Sequence, residues 1–408
     1  MREVYLDVEN SGFVLPEVLE AMKPYYYVRG YGNPAIPHKP GQEALEVFDM
    51  VSEKVLEALN SDDGNIIFTA DDTESNNLAI IGYSLANRRK GKRIIVSSIE
   101  HQSVLFPAEW LSKEFGFEVV KILVDAEGFV KIDELEKSIT KDTILVSIGL
   151  GNYEIGTIQD LKAISEVVKD RNPETVIHSD ATSAFTWVPI DPDKLGIDMI
   201  TISSHKILGP KGVSALFARK GVRLGRILHG AVSTQPLRPG VENIPALAGF
   251  GKAIEIALSN WNERIRKVKG LRDTLMERIL GEIDYTLLNG PRGDKRLPNN
   301  LNISFLYVEG EALTIELSLR GIYVATGSAC TMRELEPSHV LIAIGRKHEE
   351  AHGSILFSLH SRLSREDIEY VIKQLKEAVN RLREISAWKP GKEVIKPGEI
   401  YRGGKHGK

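Results

Sequence analysis

Short apolar runs alternate with longer amphipathic stretches along the first half of the chain. The runs are rich in aliphatic and β-branched residues and predict strands at Asn65–Thr69, Arg93–Ser97, Glu118–Ile122, Thr143–Ile148, Thr175–His178, Met199–Ser203 and Val213–Phe217. Between most of them apolar residues recur at helical spacing, which predicts helices that include Glu43–Leu59, Ser75–Arg88 and Asp160–Asp170. Strands separated by helices indicate a mostly parallel, doubly wound α/β sheet.

The second half of the chain has a different order of elements. A long helical pattern covers Pro245–Glu282; strands are then predicted at Asn300–Phe305, Ile322–Ala325 and Ile355–Leu359, and a helix at Arg365–Ile385. The chain has 408 residues, more than the roughly 250–300 residues at which a single core stops growing. We therefore predict a large α/β domain (13–250) and a smaller α+β domain (1–12 and 251–389, with 251–282 as a connecting helix), followed by a polar tail (390–408).

Charge and hydropathy exclude several classes of protein. The formal net charge of -4 gives no basic surface of the kind that binds nucleic acid. No apolar run reaches the roughly 20 residues that a membrane span needs. The N-terminus has no basic segment leading into an apolar one, so a cytoplasmic protein without a membrane partner is expected.

The chain has a single cysteine, Cys330. It cannot form a disulfide within the chain, and it has no cysteine or histidine companions at zinc spacing, so we expect no metal site. Its neighbours are small or polar, namely Gly327, Ser328, Ala329 and Thr331. This setting favours a reactive thiol over a buried structural cysteine.

A lysine and an aspartate each follow a predicted strand. Lys206 comes after Met199–Ser203, and Asp180 stands just past Thr175–His178, at the edge where open parallel sheets bind ligands. A lysine that does carbonyl chemistry needs a lowered pKa, and Lys206 beside His205 fits that requirement. A lysine Schiff base with a carboxylate on the pyridine nitrogen makes pyridoxal phosphate an electron sink. A solvated loop lysine and a helix-capping aspartate are the alternative interpretations.

Short motifs around these residues run along nearly the whole chain: Tyr5-Leu6-Asp7, Gly32-Asn33-Pro34, Thr73-Glu74-Ser75, Glu100-His101, Glu154-Ile155-Gly156, Asp180-Ala181-Thr182, Ser204-His205-Lys206, Gly327-Ser328-Ala329-Cys330-Thr331 and Leu335-Glu336-Pro337-Ser338. In this order they resemble the cysteine desulfurases of the aminotransferase class V family. The resemblance implies the fold of type I pyridoxal-phosphate enzymes, with a doubly wound large domain and a smaller α+β domain. It also implies a homodimer.

The same resemblance implies a role for each candidate residue. Lys206 would form the Schiff base with pyridoxal 5'-phosphate, Asp180 would hold the ring nitrogen, and His101 would stack on the ring and move protons. The remaining cofactor-binding residues would be Asn152, Thr73, Asp72, Ser183, Ser203 and His205. Cys330 would attack the sulfur of L-cysteine, and the resulting persulfide would supply an iron–sulfur scaffold or another sulfur acceptor.

The chain departs from the family's pattern at several positions. Asp71-Asp72 replace a Gly-Ala pair before the phosphate-binding threonine, Ser183 replaces a glutamine, and Val241 replaces a threonine that the partner subunit lends. Leu356 stands where an arginine grips the substrate carboxylate with charge-assisted hydrogen bonds. The candidates to compensate are Arg333, Arg362, His360 and a partner protein.

These departures leave two alternatives open. One is another class V pyridoxal-phosphate lyase or transferase that acts on a different amino compound. The other is a weakly active dimeric partner protein in sulfur metabolism.

Overall fold

The computed structural model describes residues 2–326 and 337–386. Its strands are β1 (Val4–Tyr5), β2 (Asn65–Thr69), β3 (Arg93–Ser97), β4 (Glu118–Ile122), β5 (Thr143–Ser147), β6 (Val176–Asp180), β7 (Met199–Ser203), β8 (Ser214–Ala218), β9 (Thr286–Asn289), β10 (Asn300–Phe305), β11 (Ile322–Tyr323), β12 (Ala325–Thr326) and β13 (Ser354–Ser358).

The helices are α1 (Pro16–Met22), α2 (Pro24–Tyr27), α3 (Lys39–Ala58), α4 (Asp72–Asn77), α5 (Tyr83–Asn87), α6 (Gln102–Phe115), α7 (Ile132–Ser138), α8 (Leu161–Arg171), α9 (Pro192–Leu195), α10 (Ile244–Ser259), α11 (Trp261–Glu282), α12 (Gly310–Ser318), α13 (His339–Ala343), α14 (His348–His352) and α15 (Arg365–Ile385). A wider π-type turn over Leu78–Gly82 joins α4 to α5, and 3-10 turns form at His205–Ile207 and Gly293–Lys295. Within residues 2–326 and 337–386, none of these helices has both the length and the apolar character for crossing a membrane.

Seven strands form the large sheet, in the order β2-β8-β7-β6-β5-β3-β4. Only β8 runs antiparallel to its neighbours β2 and β7, and the other adjacent pairs are parallel. Successive side chains of a strand point to opposite faces. Accordingly, Ile95 packs in one core with α3 and α10, whereas Ile94 and Val96 pack in a second core with α6. Helices cover both faces, and the predicted doubly wound fold is confirmed.

A smaller antiparallel sheet has the strand order β12-β13-β10-β9. Ile303, Phe357, Leu275 and Leu375, from β10, β13, α11 and α15, share a separate core. The N-terminal strand β1 pairs in parallel with β11, and Val4 joins the same core. This arrangement agrees with a smaller α+β unit that includes the N-terminus, while the exact domain boundaries remain a prediction.

Several predicted elements have different bounds in the structure. The helical pattern over Pro245–Glu282 forms two helices because Asn260, with φ -131° and ψ 48°, leaves the helical conformation. The pattern over Ser75–Arg88 is interrupted where the carbonyl of Gly82 accepts a hydrogen bond from Gly225 N at 3.0 Å. The predicted strand Ile322–Ala325 is divided between β11 and β12, which belong to different sheets.

Candidate active site

The predicted site residues lie at one edge of the large sheet. Asp180 is the last residue of β6, whereas the sequence suggested a position just past the strand. Lys206 lies in the 3-10 turn after β7, and His101 caps α6 after β3. One cavity is lined by six of the predicted residues, namely Asp72, His101, Asn152, Asp180, Ser183 and Lys206. A second cavity of about 530 Å³ shares Asp72, His101 and Lys206 with it and also contacts His205.

The Lys206 ammonium is surrounded by acidic and hydroxyl groups. Nζ donates to Glu9 Oε1 at 2.6 Å, to Thr182 Oγ1 at 3.1 Å and to Ser183 Oγ at 3.3 Å, and it lies 3.9 Å from Asp72 Oδ2. Burial alone would lower the pKa of Lys206. The carboxylates of Glu9, Asp72 and Asp180 outweigh burial and raise that pKa above its ordinary value. The prediction that the pKa of Lys206 is lowered is therefore wrong.

Asp180 provides a half-buried, ionised carboxylate. Oδ2 accepts from Asn76 Nδ2 at 2.8 Å, and Oδ1 accepts from the backbone N–H of Thr182 at 3.0 Å. Burial acts to raise the pKa of Asp180, but Lys206 and these hydrogen bonds outweigh it and hold the pKa below its ordinary value. A charged carboxylate at a cavity wall suits a ligand with a protonated ring nitrogen.

His101 stands beside them as a neutral imidazole. Its Nδ1 lies 2.7 Å from Ser103 Oγ, and its ring meets Tyr153 edge-on at a centroid distance of 5.1 Å. Burial, followed by the positive charge of Lys206, lowers the pKa of His101. A neutral imidazole with a flat apolar face can both stack on a ring and accept a proton.

Asn152 uses part of its amide to fix its own loop. Oδ1 accepts from the backbone N–H groups of Glu154 and Ile155, and Nδ2 donates to Ile99 O at 2.9 Å. An amide nitrogen carries two hydrogens, so Nδ2 has a second hydrogen to offer a ligand.

The predicted phosphate ligands do not all line the same cavity. Ser203 is fully buried, and its hydroxyl bonds His205 Nδ1 at 2.8 Å, so His205 is the member of that pair that contacts the cavity. Thr73 is the second residue of α4 and lines a neighbouring groove beside Phe106 and Trp110. Cys330 lies outside the described residues, as does Arg333.

The start of α4 is occupied by the chain's own carboxylates. Asp71 accepts from Glu74 N at 2.9 Å, and Glu74 Oε2 accepts from Ala70 N at 2.6 Å. These are backbone donors of the kind that binds phosphate at a helix start. Backbone donors at the start of α4 are therefore already bonded to side-chain carboxylates, and three acidic residues stand there, namely Asp71, Asp72 and Glu74.

Glu9 is the site residue that sequence reasoning missed. It follows the Tyr5-Leu6-Asp7 motif but is 197 residues from Lys206 along the chain. An acidic residue two positions after a recognised motif was the available signal. Only the tertiary fold shows that its carboxylate contacts the lysine.

Comparison with known proteins agrees with this geometry. The family model for class-V aminotransferases matches residues 4–371. The chain belongs to this family. Cysteine desulfurase IscS 1 from Archaeoglobus fulgidus is 46% identical over 382 residues, which cover 94% of this chain and 98% of that protein. Cysteine desulfurase IscS from Methanosarcina thermophila is 44% identical over 389 residues and 95% of each chain.

Solved structures of the family have the same fold. A NifS-like protein superposes with a TM-score of 0.86 at 34% identity, covering 93% of this chain and all of that one. The structure of SspA in complex with cysteine superposes with a TM-score of 0.74 at 31% identity, covering 88% and 99% of the two chains.

Proposed function

We propose that this class V protein is a pyridoxal-phosphate-dependent cysteine desulfurase, which converts L-cysteine to L-alanine and retains the sulfur as a persulfide. The observation that carries the proposal is the placement of Lys206, ionised Asp180 and neutral His101 around one cavity at the sheet edge. Relatives more than 40% identical over nearly the whole chain bear the name cysteine desulfurase.

The described residues fit the ring of the cofactor. Asp180 would pair with the pyridine nitrogen, His101 would stack on the ring, and Asn152 would donate its second amide hydrogen to the phenolic oxygen. The candidates for the phosphate are Thr73, Ser183 and His205, next to Asp72. Ser203 is fully buried and would act only by holding His205 through its hydroxyl. When bound, the cofactor supplies an electron sink for the substrate's carbon atoms.

The chain's own groups would move the protons and the sulfur. Lys206 Nζ and the neutral imidazole of His101 would carry protons between solvent and substrate. Cys330 would take the sulfur atom: the C–S bond of L-cysteine breaks, an S–S bond forms on Cys330, and the thiol proton completes the methyl group of L-alanine. No external oxidant or reductant enters this balance.

The proposal includes partners. A persulfide must pass its outer sulfur to a nucleophilic acceptor, so we expect an iron–sulfur scaffold or another sulfur acceptor protein. We also propose a homodimer, because exposed aromatic side chains cluster near the N-terminal helices α1 and α2, namely Tyr26, Tyr27 and Tyr31.

Turnover of L-cysteine tests the proposal. The purified protein with pyridoxal phosphate and a thiol reductant should release alanine and sulfide in equal amounts. Cys330→Ala should retain the visible absorbance of the bound cofactor but lose sulfide release, because the thiol acts only on the substrate's sulfur. Sulfide release by Cys330→Ala at the parent rate would exclude this cysteine as the sulfur acceptor.

A further inference from the structure

The N-terminal segment after β1 places a carboxylate on the lysine of the proposed active site. Glu9 Oε1 accepts from Lys206 Nζ at 2.6 Å and from Ser183 Oγ at 2.5 Å. The side chains of Lys206 and Glu9 are only 12% and 7% exposed. With so little access to water, the charge of Glu9 acts on Lys206 with little screening, and the charge-assisted hydrogen bond between them is stronger than a neutral one.

The geometry leaves the lysine nitrogen no free donor. An ammonium group has three N–H donors, and Lys206 directs them to Glu9, Thr182 and Ser183. The charged and titratable groups that face it are Glu9 from the N-terminal segment, Asp72 from α4, Asp180 from β6, His101 from the cap of α6 and His205 from its own turn. The three carboxylates among them favour the ammonium form, which has no lone pair with which to attack a carbonyl carbon.

We propose that Glu9 is a positioning residue that locks Lys206 as a fully hydrogen-bonded ammonium until an aldehyde cofactor arrives. To react, the ammonium passes one proton to Glu9 or to water. The nitrogen lone pair then bonds to the aldehyde carbon, and the carbonyl oxygen leaves as water while a C=N bond forms, with no change of oxidation state. The inference rests on the proposed function only in its choice of a pyridoxal-type aldehyde.

The reactivity of Lys206 in the cofactor-free protein tests the lock without any cofactor. The experiment is a pH profile of acetylation by acetic anhydride, with the Lys206 peptide quantified by mass spectrometry. Glu9→Gln keeps the size of the side chain and an oxygen acceptor while it removes the charge. It should shift the midpoint of the Lys206 profile down by about one pH unit or more, because an opposite charge in direct contact shifts a pKa by that amount.

A matched variant controls for the lost charge. Glu17 is on the surface, where it pairs with Arg362 at 2.5 Å, so Glu17→Gln removes the same charge away from the site. It should leave the Lys206 profile unchanged. A Glu9→Gln profile that coincides with the parent and with Glu17→Gln would overturn the proposal.

Two aldehydes separate the lock from a simple repulsion of phosphate. In Glu9→Gln, pyridoxal and pyridoxal phosphate should both form their lysine adducts about tenfold faster at neutral pH, because more free amine is present at that pH. Faster reaction of the phosphorylated aldehyde alone would refute the lock, since Glu9 would then act on the phosphate. Absence of any adduct in every variant would refute the proposed cofactor but leave the acetylation result valid.

Ser183→Ala provides a second variant in case Glu9→Gln fails to fold. It leaves the charge of Glu9 in place but removes the hydroxyl that orients it. The Lys206 midpoint should shift in the same direction by a smaller amount. An unshifted midpoint in this folded variant would contradict the role given to the Glu9, Lys206 and Ser183 cluster.

Discussion

Leu356 is an apolar residue where the family pattern has an arginine, and acidic residues surround Lys206. Three carboxylates face the single ammonium group of Lys206. The negative charge of these carboxylates would oppose the binding of an anionic cofactor and of a substrate carboxylate. Leu356 adds no compensating positive charge. It is 4% exposed and lies opposite Asn302 on β10 and Ala325 on β12.

Leu356→Arg is expected to improve binding of L-cysteine. An arginine at this position would offer the substrate carboxylate two charge-assisted hydrogen bonds, so KM should fall by about tenfold or more. The same change should lower the free energy of unfolding by about 2 kcal/mol, because an arginine without substrate is larger and poorly partnered in a packed position. Steady-state kinetics and thermal unfolding measure the two effects.

Leu356→Met is the matched control, since it alters the shape but adds no charge. It should leave KM close to the parent value. If the parent protein already has an ordinary KM for cysteine and Leu356→Arg gives no gain, another residue anchors the carboxylate and Leu356 has no part in binding.

A hydrogen bond to the buried carboxyl group of Glu154 joins the turn after β5 to the residue that caps α13. Ser338 Oγ caps α13 and donates to Glu154 Oε2 at 2.6 Å. Burial raises the pKa of Glu154 to about 8, although the Ser338 hydrogen bond opposes that shift. The contact therefore holds Ser338, at the start of α13, against the turn that follows β5.

Glu154→Gln should flatten the dependence of stability on pH. In the folded protein Glu154 keeps its proton up to about pH 8, whereas in the unfolded chain it loses it near its ordinary pKa of roughly 4.3. The folded state therefore binds more protons between these values, and the free energy of unfolding falls as pH rises through this window. The total fall attributable to Glu154 should be on the order of a few kcal/mol.

Chemical denaturation between roughly pH 4 and pH 9, a range that spans both pKa values, measures this slope. The control is Glu166→Gln, which removes an exposed carboxylate on α8 near Lys162. The control should retain the parent slope. An unchanged slope in Glu154→Gln would show that another group holds the proton.

Strands and helices with a clear local pattern were predictable from the sequence. β2, β3, β4, β7, β10 and α15 have the predicted bounds, because apolar runs or helical spacing end there at turn or capping residues. The helix predicted from Glu43 begins earlier, at Lys39, since Pro40 is tolerated in a first turn and His38 caps it. The break at Asn260 was not predictable, because helical spacing continues on both sides of it.

The fold class, and the position of most candidate site residues at one edge of the sheet, could also be predicted from the sequence. Parallel strands end at one edge, so residues at or just after the ends of neighbouring strands, such as Asp180 and Lys206, must lie close together. The acidic environment of Lys206 could not be predicted from the sequence. Glu9 lies 197 residues before Lys206 in the sequence, and together with Asp72 and Asp180 it reverses the expected direction of the lysine pKa.

Covalent attachment of the cofactor to Lys206 can be mapped directly. The protein is incubated with pyridoxal phosphate and reduced with borohydride, and its peptides are analysed by mass spectrometry. We expect a single modified peptide, which contains Lys206, and no modified peptide in Lys206→Ala. A label on a different lysine, or a fully labelled Lys206→Ala variant, would contradict it.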